Sequence, residues 1–256
     1  MTDDVLLRRD RDGVAWLTLN RPGARNALSV ALMTAMEAAL AAIAADRSVR
    51  VVVIAGAGPA ICAGHDLREL RGLDPEALPA LFAQCSRVMQ AIVGLRQPVI
   101  ARVHGVATAA GCQLVATCDL AIAADTARFA TPGVNIGLFC STPMVALSRA
   151  VGLKAAMAML LTGDMVGAAQ AVALGLINRA VPEAALDDAV SALAAQIASK
   201  SASVVGIGKP AFYAQAELPL ADAYAYAAGA MVRNMAEPDA AEGIGAFLEK
   251  RAPVWS

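Results

Sequence analysis

Two stretches of this chain combine small and polar residues in a way that can hold a ligand oxygen. The first, Ala60 to Leu70, reads Ala-Ile-Cys-Ala-Gly-His-Asp-Leu-Arg-Glu-Leu. The second, His104 to Asp119, reads His-Gly-Val-Ala-Thr-Ala-Ala-Gly-Cys-Gln-Leu-Val-Ala-Thr-Cys-Asp. Each follows an apolar strand-like run, Val51 to Ile54 and Val99 to Val103, and passes through small residues into a helical pattern. A chain leaving its last ladder bond for a first helical turn has unpaired N–H groups, and Gly or Ala there lets a ligand oxygen come close. Two such turns can aim two backbone donors at one developing oxyanion. Cys62 and His65 have metal-like spacing, yet no second pair accompanies them, so no metal is expected. The His65 imidazole is left with three uses: proton carrier, metal ligand or polar wall of a pocket.

These turns need elements to carry them. Val5 to Arg9 and Val14 to Leu19 flank Asp12-Gly13 and predict a hairpin. Asn20-Arg21-Pro22-Gly23 ends the second strand, and Ser29 caps a helix to about Ala45 with Leu32, Met36, Leu40 and Ile43 on one stripe. Arg50 to Ala55 reads as a buried strand, Asp66 to Leu70 as a short helix, Gly72 to Pro79 as a loop, and Ala80 to Leu95 as a helix stopped before Pro98. Leu120 to Ala123 and Arg128 to Ala130 are strand-like, and the alternation argues for β-α-β units in an α/β fold. From Thr142 onward the pattern is helical, including one long segment from Ser203 to about Ala236, and no further sheet is expected. Thr142 before Pro143 reads as a helix cap.

Apolar residues make up 58% of the 256 and charged ones 17%, enough for a large core and for subunit contacts. A formal charge of −1 gives no field for a polyanion, so nucleic acid is not an expected partner. Met1-Thr2-Asp3-Asp4 is acidic, no secretory signal follows, and no apolar run is long enough for a bilayer; the expectation is a cytoplasmic protein with no membrane partner. Five cysteines without a Cys-x-x-Cys pair read as reduced, mostly buried thiols.

The two stretches resemble the paired signature of the crotonase superfamily, the enoyl-CoA hydratases and isomerases. The likeness extends to Asn20-Arg21-Pro22 with Asn26-Ala27-Leu28, Phe129 to Gly133 leading into Ile136-Gly137, Leu161-Thr162-Gly163, Ala173 to Leu176, and Glu242-Gly243 to Arg251. Cys140-Ser141-Thr142-Pro143 and the ending Lys250 to Trp255 narrow it to the subgroup of enoyl-CoA hydratase domain-containing protein 3.

That resemblance implies a β-β-α spiral core over residues 1–198 and a helical oligomerisation region over 199–256, assembling as a homotrimer or a hexamer of paired trimers. It implies an acyl thioester of coenzyme A as substrate, from fatty-acid or related acyl metabolism, with coenzyme A entering only as part of the substrate and no separate cofactor. Carried over, the oxyanion donors fall on His65, after Ala63-Gly64, and on Ala110, before Gly111. The family's two proton-carrying glutamates fall on Gln113 and Gly133, neither of which can shuttle a proton. A third catalytic position, an aspartate in some relatives, falls on Ser141, beside Cys140. Arg21, Arg25 and Arg68 are candidates for the nucleotide end, with Asp66 and Leu67 holding the turn, and Phe247 and Lys250 match residues that reach a neighbouring subunit's ligand. Beside a lyase- or isomerase-type enzyme of doubtful hydratase activity stand two alternatives. One is other acyl-CoA chemistry, hydrolysis or decarboxylation, with water placed by Gln113, Asn135 or Ser141; the other is a non-catalytic acyl-CoA-binding protein.

Overall fold

A computed structural model describes residues 4–256, so Met1 to Asp3 of the acidic amino end lie outside the described residues. The chain opens with β1 (Leu6–Arg11) and β2 (Val14–Leu19), paired antiparallel around Asp12 and Gly13, whose φ values of 51° and 75° suit the tight turn. Then follow α1 (Val30–Ala45), β3 (Val51–Gly56), β4 (Ala60–Cys62), α2 (Leu67–Gly72), α3 (Leu78–Gly94), β5 (Val99–Val103), β6 (Val106–Thr108), α4 (Ala110–Thr117), β7 (Leu120–Ala124) and β8 (Arg128–Ala130). The rest runs α5 (Pro143–Ala150), α6 (Leu153–Thr162), β9 (Val166–Gly167), α7 (Ala168–Leu174), β10 (Arg179–Val181), α8 (Leu186–Ala198), α9 (Ala202–Ala216), α10 (Leu220–Met235) and α11 (Pro238–Leu248).

Two sheets result, in the orders β1-β2-β3-β5-β7-β10 and β4-β6-β8-β9. Each turn of chain gives one strand to the first sheet, the next to the second, and then a helix: β3 to β4, β5 to β6, β7 to β8. Parallel neighbours in both sheets, β3 with β5 and β4 with β6, follow from that winding. This is the β-β-α spiral of the crotonase fold. The central strands β3 and β5 are buried on both faces, which is why Val51 to Ile54 and Val99 to Ile100 are continuous apolar runs rather than alternating ones. α1 covers the first sheet with Leu32, Met36, Leu40 and Ile43, all buried, and its cap is Ser29, whose side chain accepts from the Leu32 amide at 3.2 Å.

The structure differs from the sequence expectations in four places. The Gly72 to Pro79 loop holds a 3-10 turn, Pro75–Ala77, and α3 begins at Leu78 with Pro79 in its first turn, where a missing N–H costs nothing. The carboxyl-terminal third does carry strands: β10 joins the first sheet beside β7 and β9 the second beside β8. Two- and three-residue strands show too little alternation to be read from periodicity. The long helix from Ser203 is broken by Leu218 and Pro219 into α9 and α10. Thr142 is helical itself (φ −73°, ψ −40°) and makes no side-chain capping bond.

All five cysteines are free and buried. No single helix among the described residues is long and apolar enough to cross a membrane; α8 with α9 and the turn before it pass by length and composition only as a pair bent by 104°.

Candidate functional site

The site is built where the loop after β2 crosses the end of β4. Asn26, fully buried with φ +54°, is its fastener. Its carbonyl oxygen accepts from the Arg21 amide at 2.8 Å, and its amide nitrogen donates to the carbonyls of Ala57 and Ala60, both at 2.8 Å. Gly56 passes so close that a Cβ there would stand 2.8 Å from that nitrogen. The loop then pairs with the first motif: Leu28 donates to Gly64 at 2.7 Å and accepts from Asp66 at 3.1 Å, while Ala63 donates to Arg25 at 3.0 Å. Asp66 caps α2 by accepting from the Arg68 and Glu69 amides. Its other oxygen takes the Arg21 guanidinium at 2.8 Å. That bond, more than the opposing burial, holds the Asp66 carboxyl below its usual range. Arg21 also donates to the Ala27 carbonyl. Arg21 is thus tied to the loop while still lining the same groove as Arg25 and Arg68, which make no such side-chain bonds among the described residues.

The second motif meets the first at Gly64, whose φ of +100° is open to glycine. A Cβ there would stand 2.9 Å from the Ala109 methyl and 3.5 Å from the Ala110 nitrogen. Ala109 holds φ +50°, ψ −119°, an uncommon conformation for an alanine, pinned by its amide bond to the Ala130 carbonyl at 2.9 Å. The turn places Ala110 as the first residue of α4, with no side chain capping it. Gly111 lies against the Cys62 carbonyl so tightly that no Cβ fits. Among the described residues, neither the His65 nor the Ala110 amide has a hydrogen-bond acceptor. Two unpaired donors therefore sit on two turns in contact.

The side chains around this junction carry few charges. The His65 ring nitrogens are buried and make no well-formed hydrogen bond, its edge meets Phe82 with ring centroids 5.4 Å apart, and burial lowers its pKa against the weaker, opposing pull of the Leu28 backbone. The neutral imidazole is the favoured form near pH 7. Cys62 is pushed by burial up to about 12 and is an inert thiol. Gln113, 4% exposed, leaves its Oε1 unpaired, and Thr131 leaves its hydroxyl unpaired. Gly133 is buried against the Leu138 carbonyl, with the Cys140 sulfur 2.9 Å from where its Cβ would be. Burial raises the Cys140 thiol as well. Ser141 is exposed, its hydroxyl 3.4 Å from the Phe139 carbonyl. No group of three or more His, Cys, Asp or Glu that could hold a metal gathers among the described residues.

Two cavities are lined by residues that follow the two motif turns. One, of about 550 Å³, begins one residue from His65 and brings together Arg21, Arg25, Asp66, Leu67 and Arg68. The other, of about 720 Å³, begins three residues from Ala110 at Gln113 and lies between α3, α4, α5 and α9. Neither is lined by His65 or Ala110, and Ala110 is fully buried. Phe247, 82% exposed, and Lys250, just past α11, line neither cavity.

Sequence reasoning quoted Asn26 without giving it a role and passed over Lys209. The Lys209 ammonium, almost wholly buried, pairs with Asp119 at 2.7 Å and donates to the Ile92 and Gln97 carbonyls. Asp119 also accepts from Tyr213 at 2.8 Å and from the Val99 amide at 2.6 Å. This cluster ties α9 to the core at the wall of the larger cavity; a lone Lys-Pro in an Ala-rich helix gives no such signal. His104 braces the turn by a 2.6 Å bond between Nε2 and the Gly58 carbonyl.

Comparison with known proteins bears on this architecture. Residues 9–256 match the enoyl-CoA hydratase/isomerase family. The mitochondrial enoyl-CoA hydratase domain-containing protein 3 of Rattus norvegicus is 47% identical over 97% of this chain and 83% of its own. A crystal structure of an enoyl-CoA hydratase from Mycobacterium smegmatis superposes with a TM-score of 0.96 at 55% identity, covering 98% of both chains. That of human enoyl coenzyme A hydratase domain-containing protein 3 gives 0.95 at 46%, covering 98% of this chain and all of its own. The expectation of a cytoplasmic protein is overturned by the mitochondrial naming of such relatives; an acidic start without an apolar run speaks only against a secretory signal. With a match over almost its whole length and relatives this similar, the chain belongs to the enoyl-CoA hydratase/isomerase family of the crotonase superfamily, in the subgroup of enoyl-CoA hydratase domain-containing protein 3.

Proposed function

We propose that this protein binds an acyl-CoA thioester, as its family does, and that the thioester oxygen takes its hydrogen bonds from the His65 and Ala110 amides. The observation that carries the reading is the pair of unsatisfied donors on two touching turns. Negative charge gathers on that oxygen as an enolate forms, so fixed donors favour the transition state over the ground state, each by about 3 kcal/mol. The nucleotide end lies in the groove of Arg25 and Arg68, lined also by Arg21, Asp66 and Leu67, with Ala63 just before the first motif's glycine and Gly111 allowing close approach of α4. Coenzyme A is part of the substrate, and no other cofactor is needed. Phe247 and Lys250 complete the site from a neighbouring subunit of a trimer or hexamer. Exposed apolar residues such as Leu153, Leu161, Phe212 and Leu220 favour such an assembly.

Lyase- or isomerase-type chemistry is the family's trade, but hydration through two carboxylates is not available to Gln113 and Gly133. A second reading, an acyl-CoA-binding protein that does not turn its ligand over, is favoured by one observation. At Gly133 the Leu138 carbonyl and the Cys140 thiol fill the space in which a proton-carrying side chain would start. The test is a pair of measurements: calorimetric titration with butyryl-CoA, and the loss of conjugated thioester absorbance with crotonyl-CoA. Binding with a hydration rate indistinguishable from solvent is expected. No binding would refute the proposal, and hydration at an enzymatic rate would refute the missing-acid argument.

A further inference from the structure

The chain after α11 turns back and fastens that helix. Among the described residues, the side chains of α11 make hydrogen bonds only through Asp239 and Glu242. Asp239, 3% exposed, accepts from the hydroxyl of Ser201, the residue that caps α9. The other end of α11 closes in a Schellman turn, in which the Lys250 amide donates to the Phe247 carbonyl at 3.2 Å and the Arg251 amide to the Ala246 carbonyl at 3.0 Å. Its left-handed position is Lys250, at φ +56°, where glycine is the usual residue. A lysine there is explained by its side chain rather than by the turn.

The turn sends residues 251–256 back along α11 as a strap. Arg251 forks onto Glu242, with Nη1 2.6 Å from one carboxylate oxygen and Nη2 2.9 Å from the other. The Val254 amide donates to the same carboxylate at 2.8 Å. Together these bonds, the Arg251 one foremost, pull the Glu242 carboxyl down to about 2, so the pair is ionised at any ordinary pH. Trp255 lies on Gly243, where a Cβ would stand 3.2 Å from its ring, and its Nε1 donates to the Ser199 carbonyl at 2.9 Å, just past the end of α8. The Ser256 amide donates to Asp239 at 2.9 Å. One short segment thus joins both ends of α11 to the junction of α8 and α9.

Phe247 and Lys250 stand at the end that the strap fastens. Resting on the reading above that these two complete the site of a neighbouring subunit, we propose that Glu242, Arg251 and Trp255 are positioning residues. They fix the last turn of α11 and thereby set the affinity for the nucleotide end of the thioester, without touching the ligand. Helix ends fray when nothing holds them, and side chains ordered in advance lose less freedom on binding.

The test is calorimetry on the full chain with butyryl-CoA and with butyryl-pantetheine, which lacks the nucleotide end. Arg251→Ala and Trp255→Ala open the strap at an exposed and a partly exposed position, away from the core. A third variant, Phe247→Ala with Lys250→Gly, keeps the turn and removes the two side chains. Either strap variant is expected to weaken butyryl-CoA about tenfold and to change butyryl-pantetheine less than about twofold. Added to the third variant, Trp255→Ala is expected to change butyryl-CoA binding no further, because it acts through the groups already removed. That comparison decides alone where the pantetheine thioester binds too weakly to measure. Equal weakening of both ligands, an additive effect, or unchanged butyryl-CoA binding in the strap variants overturns the positioning role. So does a loss that comes with a changed sedimentation coefficient, since the strap then governs assembly. Parent-like butyryl-CoA binding by the third variant overturns the completed-site reading and this inference with it, while failure of the parent to bind either ligand overturns the acyl-CoA reading itself.

Discussion

Two regions of the molecule use glycine in opposite ways. At the junction of the motifs, Gly64 and Gly111 let two backbone turns touch and leave the amides of His65 and Ala110 without acceptors. Between Gly133 and Ser141, glycine lets the chain fold onto itself, and the Leu138 carbonyl and Cys140 thiol take up the room. The first region leaves two backbone donors free; the second leaves no room for a side chain at position 133. On the proposed function, carbonyl polarisation and proton transfer are separable parts of this fold, and this chain is expected to retain the first alone. Function lives in such local sites rather than in the fold that carries them.

The contrast is broken or sharpened most strongly by filling each glycine. Gly111→Val must push α4 off the Cys62 carbonyl, at a cost of about 3 kcal/mol or more, and should abolish butyryl-CoA binding. Gly133→Val should cost a comparable amount in a urea titration, yet the variant that still folds should bind butyryl-CoA as before. Equal loss of binding in both would erase the distinction between the regions.

Asn26→Ala comes next. It removes three hydrogen bonds at a buried site, at about 1 kcal/mol each. A loss of about 3 kcal/mol in urea denaturation is expected, with weaker acyl-CoA binding because the loop no longer holds Gly64 in place. Stability within 0.5 kcal/mol of the parent, as for an ordinary surface change, would mean that Asn26 does not fasten the loop.

The smallest effect belongs to Asp66→Asn. The Arg21 pair is partly exposed, so at neutral pH it contributes about 1 kcal/mol or less. Because Arg21 and the cap hold the folded carboxyl below its ordinary value, that stability is present above the unfolded pKa of about 3.9 and is lost as pH falls through the folded value. Parent and variant curves of stability against pH should differ above pH 4 and converge below it; parallel curves would show that the pair contributes nothing.

How much of this was legible in the sequence depended on length and locality. The hairpin at Asp12-Gly13, the stripe of α1 and the two motif turns were readable because a few neighbouring residues decide them. β9, β10 and the tie from Lys209 to Asp119 were not, since partners distant in sequence create them. Family resemblance made Arg21 a candidate for the nucleotide end, and its bond to Asp66, a partner 45 residues away, shows only in the three-dimensional loop. At Gly133 the sequence shows that a carboxylate is missing, while the closure of the space it would need is a matter of packing.

The chain contains two histidines, His65 and His104, so labelling histidine alone with ¹⁵N gives two backbone amide signals with an internal control between them. On addition of butyryl-CoA, the account predicts that the His65 amide proton moves downfield as it gains an acceptor and that the His104 amide stays where it was. If calorimetry shows the thioester bound while the His65 amide does not move, the oxygen is held elsewhere and the account is wrong.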